Sequence, residues 1–334
     1  MNIQRVSGGT STSPFPLYDG LADSLAAAYQ AESADGDLAV AHVLATCAGY
    51  AYADVTTVAM MMGRLGLQAN ACVEISQTVD AMMISSTAYL VQSQCGRVAV
   101  LCYRGTEPGS LGNWLGDVDT GSEASVISSA TEGDALRVHA GFHLNLRATW
   151  LGVLEQLELA LEGKSLAAPE TRVANPLQAL YVTGHSLGGA MAVLFALSIA
   201  RSRAQRPIAD RLRAIYTFGQ PMTACAPLPA WAAAAGNRVF RYITPRDLIP
   251  ALPPTSWGPF THIGHEYQYG DGTWRKSATP VAPLANVREI PRALLAFFAP
   301  QKKTAAYRYA LGDHRPHHYV AALRPKGMIT ELGD

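Results

Sequence analysis

The chain has 334 residues, of which 49% are apolar and 16% charged, and its 26 basic and 26 acidic side chains leave no formal net charge. That composition excludes a disordered chain. The neutral balance, without basic runs, argues against nucleic acid as a partner, because phosphate neutralisation needs clustered cations.

Met1–Gly20 is rich in Ser, Thr, Gly and Pro and lacks the apolar run of a Sec signal. Residues 1–35 are therefore expected to form a flexible N-terminal extension, followed by a single domain over 36–334. With no Sec signal, the expected location is cytoplasmic, or outside the cell by a signal-independent route. Ala39–Tyr52 is small, apolar and unbroken and reads as a helix. Leu38–Gly63 is interrupted by His42, Asp54 and several Thr, and Ala190–Ala200 is far shorter than the ~20 residues a bilayer span needs. Both read as core segments, and no transmembrane segment is expected.

Val98–Tyr103 (VAVLCY) is a continuous apolar run of strand length, the pattern of a strand buried on both faces. Ala88–Gln94 is expected to pair with it as a hairpin turning at Cys95-Gly96. Arg104–Asp134 is polar and Gly-rich. Phe142, Leu146, Trp150, Val153, Leu154 and Leu157 then recur at helical spacing. Ala179–Thr183 reads as a second buried strand, Met191–Arg201 as an apolar helix, and Ala214–Phe218 and Val239–Ile243 as further strands. Gly219–Gly236 reads as loop plus Ala-rich helix, and the Pro-rich Pro245–Pro259 as irregular chain. Strands alternating with helices give an α/β class with a mainly parallel central sheet flanked by helices.

The five cysteines, Cys47, Cys72, Cys95, Cys102 and Cys225, are odd in number and show no CxxC spacing. Most read as small buried hydrophobes; a Cys95–Cys102 bridge across the hairpin is the alternative.

Gly184-His185-Ser186-Leu187-Gly188 fits GxSxG, with a strand running in and a helix running out. That is the frame of a nucleophile elbow. Side chains two positions either side of the serine would collide in so sharp a turn; Gly184 and Gly188 remove the collision, and Gly189 lets the helix approach the sheet. The helix N-terminus lies under Ser186, so the Leu187 N–H is expected to point at an oxyanion formed there. A serine hydroxyl needs a base, and the base needs an acid. In this architecture the order is Ser, acid, His. The base then comes from His262, His265, His314, His317 or His318. Asp247, just after the strand Val239–Ile243, is the best-placed acid; a loop cap or an ion pair with Arg246 are its other uses.

GHSLGGA does not stand alone. Arg104-Gly105-Thr106, Asn113-Trp114-Leu115 with Asp117, and Val138-His139-Ala140-Gly141-Phe142 precede it. Thr217-Phe218-Gly219-Gln220-Pro221, Asp247-Leu248-Ile249-Pro250-Ala251-Leu252-Pro253, and Asp313-His314 with Tyr319 follow it. Read together, these segments resemble the class 3 lipase family, the fungal-lipase-like α/β hydrolases. The resemblance implies an α/β-hydrolase fold with a lid segment, Ser186 as nucleophile, Asp247 as acid and His314 as base. It also implies Thr106 as the second oxyanion donor beside Leu187. His317 and His318 then read as exposed neighbours, and His262 and His265 as residues that shape the site or pack against it.

Leu111, Trp114 and Leu115 are expected to form the apolar face of a short lid helix that covers the site in water and turns onto a lipid interface. The expected function is carboxylic ester hydrolysis, of the triacylglycerol lipase type. A phospholipase A1, a small-ester esterase with the same triad, or an inactive binding member are the alternatives. The expected partner is a lipid or ester substrate, and neither cofactor nor metal is expected: His314, His317 and His318 have no carboxylate or Cys cluster beside them.

Overall fold

The computed structural model describes residues 1–27, 37–79, 84–106, 124–127, 135–285 and 310–334. Asn2–Ser7 (β1), Ala71–Val79 (β2), Ile84–Gln92 (β3) and Val98–Tyr103 (β4) pair antiparallel in that order. The hairpin falls in the expected register, with Ala88 opposite Tyr103 and Gln92 opposite Ala99. Ala124–Ile127 (β5) and Leu136–His139 (β6) enter a second, smaller sheet. The chain then returns to the first sheet with Ala179–His185 (β7) and Leu212–Phe218 (β8), and adds Ala224–Cys225 (β9) to the second. Val239–Ile243 (β10), Phe260–Thr261 (β11), His265–Gly270 (β12) and Thr273–Lys276 (β13) complete the two sheets. Their orders are β1-β2-β3-β4-β7-β8-β10-β12-β13 and β11-β9-β6-β5.

Helices lie on both faces of the large sheet. In chain order they are Leu21–Ala26 (α1), Leu38–Tyr50 (α2), Val55–Leu65 (α3), Ala140–Leu161 (α4) and Leu187–Arg201 (α5). Arg206–Ala209 (α6), Ala230–Gly236 (α7), Leu311–His314 (α8) and Pro316–Leu323 (α9) follow. The starts of α2 and α3 are set by side-chain caps: the Asp37 carboxylate accepts from the Ala39 and Val40 amides at 2.8 and 3.2 Å, and Asp54 accepts from the Thr57 amide at 2.8 Å.

The strand β4 shows how the sheet divides the core. All six of its side chains are buried. Val98, Val100 and Cys102 face the layer built from α2, α3 and α9; Ala99, Leu101 and Tyr103 face the layer built from α4 and α5. Successive strand residues point to opposite faces, so a strand covered on both sides must be apolar throughout. At roughly 1.5–3 kcal/mol per large side chain, such strands anchor the fold. The helix α5 is buried on nearly every side because it is enclosed between the sheet and α4, where Phe195 meets Tyr103 and Trp150 with ring centroids 6.1 and 5.5 Å apart.

Two expectations need correction. The central sheet is mixed, not mainly parallel: β4-β7-β8-β10-β12 pair in parallel, but the flanking pairings β1-β2, β2-β3, β3-β4 and β12-β13 are antiparallel. Within the parallel block, the connections β4–β7, β7–β8 and β8–β10 run through α-helices. Nor is the first part of the N-terminal extension a loose leader, because Asn2–Ser7 hydrogen-bonds along β2 and extends the sheet. Leu21 and Leu25 of α1 are also buried, in the layer beneath α2. All five cysteines are free thiols, so no Cys95–Cys102 bridge forms. No helix among the described residues is long and apolar enough to cross a membrane.

Candidate active site

The elbow is built from the end of β7 and the start of α5. Ser186 adopts φ 58° and ψ −129°, a conformation L-residues rarely hold. The surroundings explain how it is held. A Cβ on Gly184 would lie 2.3 Å from the Gly188 carbonyl, and one on Gly188 would lie 2.1 Å from the Tyr103 oxygen. The glycines are thus required by close backbone approach, as the motif predicts. Ser186 N–H donates to the Phe218 carbonyl at 2.9 Å, tying the turn to the neighbouring strand. Leu187 is the first residue of α5, so its amide has no acceptor within the helix.

Ser186, Asp247 and His314, far apart in sequence, meet here. His314 Nε2 is 3.0 Å from Ser186 Oγ, and His314 Nδ1 is 2.8 Å from Asp247 Oδ2. All three residues are buried. With Nδ1–H donating to the carboxylate, Nε2 is left as the acceptor for the serine hydroxyl. The carboxylate is fully engaged: Oδ2 also accepts from the Tyr319 hydroxyl at 2.7 Å, and Oδ1 accepts from the Ile249 amide at 2.9 Å. Arg246 does not pair with Asp247. Its guanidinium meets Asp313 at 3.1 Å, and its carbonyl accepts from the Ala310 amide at 2.9 Å. The Thr244 hydroxyl donates to the Asp313 carbonyl at 2.7 Å. The short helix carrying His314 is therefore fastened to the loop carrying Asp247.

Thr106 follows β4 by three residues, and Gly105 brings that segment against the elbow: a Cβ there would lie 3.3 Å from Ser186 Cβ and 2.5 Å from the His185 carbonyl. His185 is buried beside His314, with ring centroids 4.5 Å apart. Its pKa is held well below the usual imidazole range, first by burial and then by His314. The other histidines stand elsewhere. His262 donates to the Pro250 carbonyl at 2.9 Å, His265 packs on Phe240, and His317 is exposed. Leu111, Trp114 and Leu115 lie outside the described residues.

Sequence reasoning used Tyr319 only as a marker for His314; the structure makes it a partner of the acid. It missed Tyr52, whose hydroxyl reaches His185 Nδ1 at 2.9 Å. No motif marks that tyrosine, and only the packing of α2 against β7 brings it near.

The family model for lipase (class 3) matches residues 100–257, which hold Ser186 and Asp247 but stop short of His314. A lipase of Rhizomucor miehei is 26% identical over 200 residues, 60% of this chain and 49% of that protein. The triacylglycerol lipase OBL1 of Ricinus communis is 32% identical over 223 residues, 55% of this chain and 40% of that protein. The chain thus spans less than half the length of these two relatives. Among solved structures, a Rhizomucor miehei lipase–propeptide complex with a two-residue deletion superposes with a TM-score of 0.54, at 20% identity, over 89% of this chain and 80% of that one. Residues 100–257 thus match the class 3 lipase family, and the chain shares the α/β-hydrolase fold of the fungal lipases.

Proposed function

We propose that this protein is a serine carboxylic ester hydrolase acting on lipid acyl esters, with Ser186 as nucleophile, His314 as general base and Asp247 as its orienting acid. The observation that carries the reading is the unbroken path from Asp247 through the imidazole of His314 to Ser186 Oγ, with both links at 2.8–3.0 Å. His314 takes the hydroxyl proton as Oγ attacks the ester carbonyl, and Asp247 stabilises the imidazolium that forms. The amide of Leu187 at the start of α5 and that of Thr106 beyond β4 are the proposed donors to the tetrahedral oxyanion. Each is worth about 10²–10³ in turnover. The alcohol leaves with the proton held by His314, and water activated by the same ring hydrolyses the acyl-enzyme.

The lipid-ester substrate class follows from the relatives, which include a protein named triacylglycerol lipase. Hydrolysis of p-nitrophenyl esters of graded length, a triglyceride emulsion and phospholipid vesicles, with Ser186→Ala as control, tests it. We expect ester cleavage that falls about 10⁶-fold, to the detection limit, in Ser186→Ala. Equal cleavage by the variant would overturn the assignment. Preference for phospholipid over triglyceride would make the protein a phospholipase with the same triad.

A further inference from the structure

Behind the base lies a second hydrogen-bonded chain that the acyl-transfer scheme does not use. His185 Nε2 lies 2.5 Å from the main-chain carbonyl of His314, an acceptor only, so this nitrogen carries the proton. Burial first, then the neighbouring His314, holds the His185 pKa well below the imidazole range, so the ring is neutral and Nδ1 is a bare acceptor. Nδ1 lies 2.9 Å from the Tyr52 hydroxyl, which therefore donates to it. Burial raises the Tyr52 pKa, keeping that proton in place. Both directions in the chain are determined: Tyr52 O–H to His185 Nδ1, and His185 Nε2–H to the His314 carbonyl.

We infer that Tyr52 and His185 are a positioning pair that fixes the backbone of His314 and the strand end carrying Thr106 relative to one another. The inference rests on the triad reading above. The two catalytic parts it links belong to different elements: His314 to α8, near the C-terminus, and Thr106 to the chain leaving β4. The tyrosine hydroxyl lies against Gly105 on one side and hydrogen-bonds His185 on the other. The Cβ that Gly105 lacks would lie 2.4 Å from Tyr52 Oη and 2.5 Å from the His185 carbonyl, so the strand end is already in close contact with the pair. A misplacement of about 1 Å in such a constellation can cost 10²-fold in rate, and one buried hydrogen bond sets up to about a tenfold effect.

The test compares Tyr52→Phe, His185→Leu and His185→Gln with the wild type. Active-site titration by a fluorophosphonate is followed by kcat and KM on p-nitrophenyl butyrate, with Ser186→Ala as blank. Tyr52→Phe keeps the ring and loses only the hydroxyl. We expect kcat per titrated site to fall about tenfold with KM changed less than about twofold, and phosphonylation to slow by a similar factor. His185→Leu should lose about 10²-fold. His185→Gln, whose amide keeps a donor near the Nε2 position, should recover at least part of that loss. Should His185→Leu fail to fold, Tyr52→Phe decides alone. Unchanged kcat per titrated site in Tyr52→Phe, or a loss explained wholly by fewer titrated sites, would overturn the inference and leave the triad standing. A wild type that is neither labelled nor faster than Ser186→Ala would overturn the triad reading, and this inference with it.

Discussion

Ser186 holds a positive φ in a turn where Gly184 and Gly188 lack side chains, and the same economy of space recurs across the site at Gly219. That residue has φ 59°, and a Cβ on it would lie 2.6 Å from Asp247 Oδ2, 3.0 Å from His314 Nδ1 and 3.1 Å from the Tyr319 hydroxyl. Gly219→Ala should therefore push Asp247 away from His314 while also straining the backbone. We expect at least a 10²-fold fall in kcat/KM, measured on a soluble p-nitrophenyl ester, with the far-ultraviolet circular dichroism of the wild type retained. Tyr319→Phe is a gentler probe: it removes one of three hydrogen bonds to the Asp247 carboxylate. Its expected effect is a fall of about tenfold or less in kcat. At this scale the sequence was most legible. GxSxG names Ser186 through sterics, and chain order narrows the acid and base. Tyr52 was not legible, because a lone tyrosine after a helix acquires meaning only from what packs against it.

The elements were legible where burial is two-sided and obscure where it is not. Val98–Tyr103 and Ala179–Val182 are apolar throughout and read at once as central strands. The edge strand Asn2–Ser7 is half-polar and lies in a stretch rich in turn residues, so only its pairing with β2 reveals it. The adjacent strands β10 and β12 carry a feature that no local pattern announces: Arg241 and Glu266 form an ion pair at 3.0 Å with both side chains 1% exposed. Glu266 also accepts from Gln268 Nε2 and the Val281 amide, whereas Arg241 Nε and Nη1 have no hydrogen-bond partner among the described residues. Burial lowers the Arg241 pKa to about 10, still far above neutrality, so the charge persists. Glu266→Gln leaves that buried cation without its counter-charge and should cost about 3–5 kcal/mol by urea denaturation. The double change Arg241→Met with Glu266→Leu should cost much less, since no buried charge is then left over.

Over the whole molecule, the sheet is a parallel block extended on both sides by antiparallel strands; Ser186 and Asp247 of the proposed triad follow the parallel strands β7 and β10, and α8 brings His314 to them. The α/β class was legible from alternating strands and helices, and so was the antiparallel hairpin of β3 with β4; the outer strands β1 and β13 were not, because half-exposed strands give weak periodicity. Global stability should depend on pH in part through two buried histidines. His42 and His139 both have pKa values lowered to about 4 from 6.5, chiefly by burial. The unfolded chain therefore binds protons at these rings before the folded one does. The associated stability is fully present above about pH 6.5 and is lost as pH falls toward 4, by up to about 3 kcal/mol for each. Denaturation across pH 4–7 should show this slope, and His42→Gln or His139→Gln should each flatten it by about one proton.

The most direct measurement of the central claim is intact-mass and peptide-level mass spectrometry after a fluorophosphonate treatment. One phosphonyl group on the peptide carrying Ser186 is predicted, with labelling slowed about 10³-fold or more in His314→Ala. Labelling on another residue, or equal labelling without the His314 imidazole, would contradict the account.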